Sequence, residues 1–274
     1  MSELRRQQRK TSVRPRAKKK SSLPPTEIRL IPIPLADDIQ PGDSLSEKLT
    51  AAMQQRTIAF APGDILVVKH KIISKAEGRI VELATIDPSD ESIAWAKKYG
   101  LDARVIELAL RESRATIRRK NGVLITETQH GFICANNGVD VSNVDGGRHA
   151  LLLPADPDRS ARKLQRELKK RTKLAVPVLI TDTFGRPWRE GLVDLCIGIA
   201  GMKTLRDDRG RRDPHGYTLQ ASFEAIADEL AAAAGLACGK LSRTPACIIR
   251  GFPYEPARGR THDLLRPAAN DLFR

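Results

Sequence analysis

Two acidic positions stand out for the residues around them. In "CANNGVDVSN", residues 134–143, Asp140 follows two amides and a glycine and precedes Asn143. In "VLITDTFGR", residues 178–186, Asp182 and Thr183 come at the end of an apolar run that reads as a strand. Asn, Gly and Asp tolerate positive φ and bond their own backbone, so a plain turn is the first reading of each segment. The chemical reading is a hard-cation site. Magnesium or manganese takes oxygen ligands, often one or two carboxylates completed by substrate phosphates and water. Two such acidic strand ends, brought together, would make one. Lys75 and Arg79 flank "AEG", and Arg186 and Arg189 follow Asp182. These cations suit a phosphate- or carboxylate-bearing ligand, although each alone is an ordinary surface charge.

Other chemistries find no support. The chain has no GxxxxGK[ST] segment for a P-loop, no GxSxG elbow and no HExxH. His130, next to Gly131, reads as a structural turn histidine rather than a base. Cys134, Cys196, Cys238 and Cys247 are widely separated in or beside apolar runs and form no CxxC, which marks them as buried core thiols in a reducing compartment.

The chain has 274 residues, 41% of them hydrophobic, enough for one large domain or two modest ones. No apolar run approaches the roughly 18 residues that span a bilayer, and the N-terminus lacks an apolar signal region. A soluble cytoplasmic protein is expected. Of the formal net charge of +14, residues 1–20 supply +8, with nine Lys/Arg against one acid, and the remaining 254 residues supply +6. We read residues 1–26 as a basic, disordered tail that could contact nucleic acid without sequence specificity. Aromatic residues make up 4% of the chain, so no base-stacking platform is indicated.

Several elements must position these groups. "IRLIPIP", residues 28–34, alternates as a strand, and Ser44 and Glu47 have the spacing of a capping box for a helix that buries Leu45, Leu49 and Met53. "GDILVVKHKIISKAEG" reads as a buried strand running into polar residues, with its "KHKIISK" end open to a ligand. Two helices, 89–99 and 102–114, are expected to break at Gly100, with Asp102 as the second N-cap. Strand-like runs surround His130. An amphipathic helix follows, with Ala161, Leu164 and Leu168 inward and a basic outer face. "LVDLCIGIAG" and "PACIIRGFP" read as strands, and "SFEAIADELAAAAGLACGK" as a helix with Phe223, Ile226, Leu230 and Ala234 on one stripe. Without a regular β-α-β period, the expected fold class is α+β, with mixed and antiparallel sheets and flanking helices, not a P-loop or Rossmann fold.

The segments "IISKAEGRIVEL", "ELALRESR", "ETQHGFICANNGVDVSNVDGG", "LLLPADPDRSARKL", "LITDTFGRPWREGLVDLCIGIAG", "LRDDRGRRDPHGYTL" and "PACIIRGFPYE" occur in the order seen in the coenzyme F-420 gamma-glutamyl ligase family, which residues 27–255 resemble. Residues 256–274 then form a C-terminal extension. The resemblance implies an enzyme that uses GTP to join L-glutamate, through a gamma-linked amide, to the carboxylate of a deazaflavin cofactor precursor by way of an acyl phosphate. It also implies two divalent ions, manganese or magnesium, a potassium ion and a homodimer. By similarity, Asp140, Asp182 and Thr183 are metal ligands, and Asn143 contacts the nucleotide or the acceptor. Asp140, Asn143 and Asp182 are thus the residues expected to carry catalysis.

The same resemblance matches Lys75 to a nucleotide-binding lysine, with His70 and Lys71 on its approach loop, and Leu30, Ile31, Pro32 and Ile33 of "RLIPI" to a nucleotide-contact segment. Gly239 and Lys240 match a loop that closes over the nucleotide. This chain departs from the family between Lys240 and Pro245, where Leu241, Ser242, Arg243 and Thr244 replace the usual acidic and glycine residues. Two alternatives remain open: a related ligase with another acid acceptor, and an inactive homologue associated with nucleic acid through its tail.

Overall fold

The computed structural model describes residues 27–142 and 144–271, so the basic tail and Asn143 lie outside the described residues. In chain order the elements are β1 (Arg29–Ile33), α1 (Leu45–Gln54), β2 (Ile65–Lys69), α2 (His70–Ala76), β3 (Ile80–Glu82), α3 (Asp90–Tyr99), α4 (Ala103–Glu112), β4 (Ser113–Lys120), β5 (Val123–Thr128), β6 (Ile133–Ala135), β7 (His149–Leu151), α5 (Pro157–Thr172), β8 (Val178–Arg186), β9 (Arg189–Ala200), β10 (Arg206–Asp207), β11 (Phe223–Glu224), α6 (Ile226–Cys238) and β12 (Ala246–Arg250).

A five-stranded sheet in the order β1-β12-β2-β8-β9 forms the centre, parallel only between β2 and β8. Its middle strands are apolar on both faces because both are covered. Leu66, Val68, Val178, Ile180 and Ile248 pack with α1, α2 and α5 residues such as Leu49, Ile73 and Leu164. Ile65, Val67, Leu179, Cys247 and Ile249 pack with Ile226, Leu230 and Ala234 of α6 on the opposite face. All four cysteines are buried and free.

A second core separates the two halves of this layered body in sequence. Leu83, Ile106, Leu108, Ala109, Leu124, Val139, Ala150 and Leu152 gather α3 and α4 against the β4-β5-β6 sheet and the β3-β7 pair. Together the two cores make the α+β fold expected from the sequence. The N-caps form, although the Glu47 carboxylate of the expected capping box accepts from Arg171. Ser44 accepts from the Glu47 amide, Asp102 from the Arg104 amide, and Gly100 ends α3 in the left-handed region at φ 66°.

Four local expectations are corrected. "KHKIISKA" leaves the strand at Lys69 and turns into α2, because His70, Ile73 and Ser74 bury one helical face. His70 and Lys71 therefore stand on the first turn of a helix, not on a loop. β8 does not stop at Asp182 but runs to Arg186 as the first arm of a hairpin with β9. Residues 113–120 form β4, with bulges, where the helix was expected to continue to residue 114. Phe223 lies in β11, half exposed, and not on the α6 stripe.

Candidate active site

Several of the polar residues singled out in the sequence line one cleft of about 700 Å³. Its lining includes His70, Lys71 and Lys75 from α2, Asp140 and Ser142 from the loop after β6, Asp182 and Thr183 from β8, and Gly239 and Lys240 after α6. Leu30, Ile31, Pro32 and Ile33 stay in the edge strand β1; the cleft is lined instead by residues 35–39, immediately after them. Arg186 and Arg189 lie at the turn of the β8-β9 hairpin, with Arg186 donating to the Glu190 carbonyl. Arg79 is turned away and bonds the Leu153 carbonyl and Glu112.

Parallel pairing of β2 with β8 determines which groups meet. It sets Lys69 beside Thr181, so α2 starts next to the β8 segment that carries Asp182. Consecutive residues of the first α2 turn then each reach one aspartate. Lys71 Nζ is 2.7 Å from Asp140 Oδ2 and also bonds the Ser142 hydroxyl and carbonyl. His70 Nε2 is 3.2 Å from Asp182 Oδ1, but without hydrogen-bond geometry, and this buried nitrogen has no other partner. Lys75, one turn on, faces Asp38 across 3.7 Å.

Asp140 is fixed by its own backbone as well. The Ser142 amide donates to its Oδ1 at 2.6 Å, and residue 140 forms a two-way backbone bridge with Leu151. Burial works against its charge, but bonds from Lys71 and Ser142 outweigh burial and hold the carboxyl below its ordinary range. Cys134 lies near Asp182 and is pushed up to about 12 by burial and by that carboxylate's charge, so it is a protonated thiol and no nucleophile.

The donor set fits a hard cation. Asp140 and Asp182 supply carboxylates, and Thr183 a hydroxyl, while the buried Thr181 hydroxyl lines the same cleft without a partner. Among the described residues, no group of three or more His, Cys, Asp or Glu side chains is placed to hold a metal ion.

Two further residues belong to the site, Lys69 at the head of "KHKIISK" and Asp194, which no sequence reading marked. Lys69 lines the cleft, and Asp194, facing Thr183 across the β8-β9 pair, is 6% exposed and bonded to both Lys69 and Thr183. The signal was an acid inside the apolar run "LVDLCIGIAG", since a carboxylate is rarely buried without partners. The far wall is the 239–245 loop, tied to residues 35–36 by the Leu35 amide bond to Arg243 and the Arg243 guanidinium bond to Ala36.

The chain matches the model of the F420-0:Gamma-glutamyl ligase family over residues 35–251. It is similar to the coenzyme F420:L-glutamate ligase of Methanothermobacter thermautotrophicus, at 43% identity over 236 residues, covering 85% of this chain and 93% of the relative. The ligase of the same name from Methanopyrus kandleri is 40% identical over 252 residues, covering 90% and 98%. That from Methanocaldococcus jannaschii is 42% identical over 213 residues, covering 77% and 85%. With the match extending across both cores and every wall of the cleft, the chain belongs to the F420-0:gamma-glutamyl ligase family.

Proposed function

We propose that this protein joins L-glutamate to the carboxylate of a coenzyme F-420 precursor, with GTP as phosphoryl donor. The observation that carries the reading is the pairing of Asp140 and Asp182 with Lys71 and His70 in one cleft that also holds Lys75 and Lys240. Such a mixture of carboxylates and cations suits a polyphosphate accompanied by a divalent cation.

In this reading the acceptor carboxylate attacks the γ-phosphorus of GTP. An oxygen–phosphorus bond forms, the β-γ bridging bond breaks, and GDP leaves. The amine of glutamate then attacks the acyl carbon, releasing phosphate as the carbon–nitrogen bond forms and the ammonium loses its proton. Asp140, Asp182 and Thr183 would hold magnesium or manganese, which when bound would neutralise phosphate charge during in-line transfer. Lys71 and Lys75 hold the phosphates by charge, and Ser142 orients Asp140. No side chain needs to become a covalent carrier, in keeping with the protonated Cys134 thiol. The sequence resemblance, and not the cleft geometry, supports the remaining parts: guanine as the base, a second divalent ion, potassium and a homodimer.

Hydroxylamine trapping tests the chemistry. With GTP, manganese and the deazaflavin precursor but no glutamate, the protein should yield the acyl hydroxamate and GDP in equal amounts. GDP release without the precursor, or glutamyl product with no trappable intermediate, would count against an acyl phosphate.

A further inference from the structure

Resting on the nucleotide reading of the same cleft, we propose that Asp194 is a positioning residue that holds the Lys69 ammonium in the cleft lining as a receptor for a phosphate oxygen. Asp194 is a buried carboxylate on an otherwise apolar stretch of β9, a placement that is costly unless its charge is met. Two groups meet it, the Lys69 ammonium and the Thr183 hydroxyl, which donates to Oδ1 at 2.7 Å. Helix α6 leaves space for it by carrying Gly235, where a Cβ would stand 2.5 Å from Asp194 Oδ2.

The pairing has directional consequences. An ammonium has three donors, so the bond to Asp194 leaves others for a ligand in the cleft that Lys69 lines. A threonine hydroxyl has one hydrogen, and giving it to Asp194 leaves Thr183 Oγ1 an acceptor. One buried carboxylate thus prepares a cation for an anionic oxygen and an oxygen for a cation, while itself staying behind the lining.

The test is calorimetric binding of GTP and, separately, inorganic tripolyphosphate, each with manganese, to the full chain. Asp194→Asn, Lys69→Met, the double variant and Lys69→Arg are compared with the unaltered protein. Asparagine can still accept from Thr183, so Asp194→Asn isolates the missing charge. Each of Asp194→Asn and Lys69→Met should weaken tripolyphosphate binding about tenfold. The double variant should be no weaker than the Lys69→Met single, and Lys69→Arg should recover part of the loss.

Unchanged affinity in folded Lys69→Met or in folded Asp194→Asn overturns the proposal, and the Lys69→Met result can do so even if Asp194→Asn does not fold. Additive losses overturn it too, because Asp194 would then act independently of Lys69. Tripolyphosphate binding without GTP binding would sink the nucleotide reading and leave the phosphate receptor standing. Failure of the unaltered chain to bind either probe would remove both.

Discussion

Asp140 is reached through three successive left-handed residues, Asn136, Asn137 and Gly138, at φ 50°, 55° and 68°. Asn tolerates this region best among residues with a side chain, and glycine enters it freely, which explains why "ANNG" precedes the aspartate. Gly138 has a second constraint, since a Cβ there would lie 2.9 Å from Leu153. Gly138→Ala should therefore cost about 1–3 kcal/mol in urea unfolding and weaken manganese binding by displacing Asp140. Full stability with unaltered metal affinity would show that the turn does not set the carboxylate. Lys75→Ala should raise the GTP Kd about tenfold with thermal stability near that of the parent, because its ion pair among the described residues is a long one to the exposed Asp38. An unchanged Kd would remove Lys75 from the site. Asp140 and Asp182 were legible in the sequence because each interrupts or ends an apolar run. Lys69 was legible only as the head of "KHKIISK" and Asp194 not at all, because their significance comes from pairing between residues 125 positions apart.

At the scale of elements, Glu107 joins two helices. Its Oε2 accepts from the Ser89 amide and hydroxyl and from the Ser92 hydroxyl at the start of α3, while Arg111 donates to Oε1 within α4. Those bonds from Ser89, followed by Arg111 and Ser92, outweigh burial and lower the carboxyl to about 2. A depressed folded-state value means stabilisation that is fully present above the ordinary carboxylate range and is lost as pH falls towards 2. Glu107→Gln should lower Tm at pH 7, and the difference from the parent should shrink between pH 4.5 and 2. A pH-independent difference would point to packing instead. The α3-Gly100-α4 unit was legible because caps and breakers are local signals, as was the apolar stripe of α5. Helix α2 was not, because Ile72 and Ile73 extend a β-branched run and only burial of His70 and Ser74 against the body reveals the helical period. Strand β4, "SRATIRRK", was hidden by its charge: it pairs with β5 alone and keeps its arginines largely at the surface.

Over the whole molecule, the cleft is built by contributions from distant parts of the chain. The central sheet supplies Asp182, Thr183 and Lys69, with Asp194 bonded behind them, the segment around the second core supplies Asp140, and the loop after α6 closes the far wall. Residues beyond the family match also join the body: the Ala257 amide bonds Gly201, and the Thr261 amide bonds Asp158, whose other Oδ accepts from Ile199. No helix among the described residues is long and apolar enough to cross a membrane. The fold class could be read from the irregular alternation of elements, whereas strand order and the meeting of the two acidic segments depend on long-range pairing. Glutamate ligation in this assembled cleft is read by mass spectrometry of the deazaflavin precursor incubated with the protein, GTP, manganese and L-glutamate, beside Asp182→Asn. The expected result is a metal-dependent product heavier by one or more glutamyl units, reduced at least about 100-fold in the variant while its Tm stays near that of the parent. A parent protein that binds GTP and manganese yet leaves the precursor mass unchanged, or an Asp182→Asn protein of undiminished activity, would contradict it.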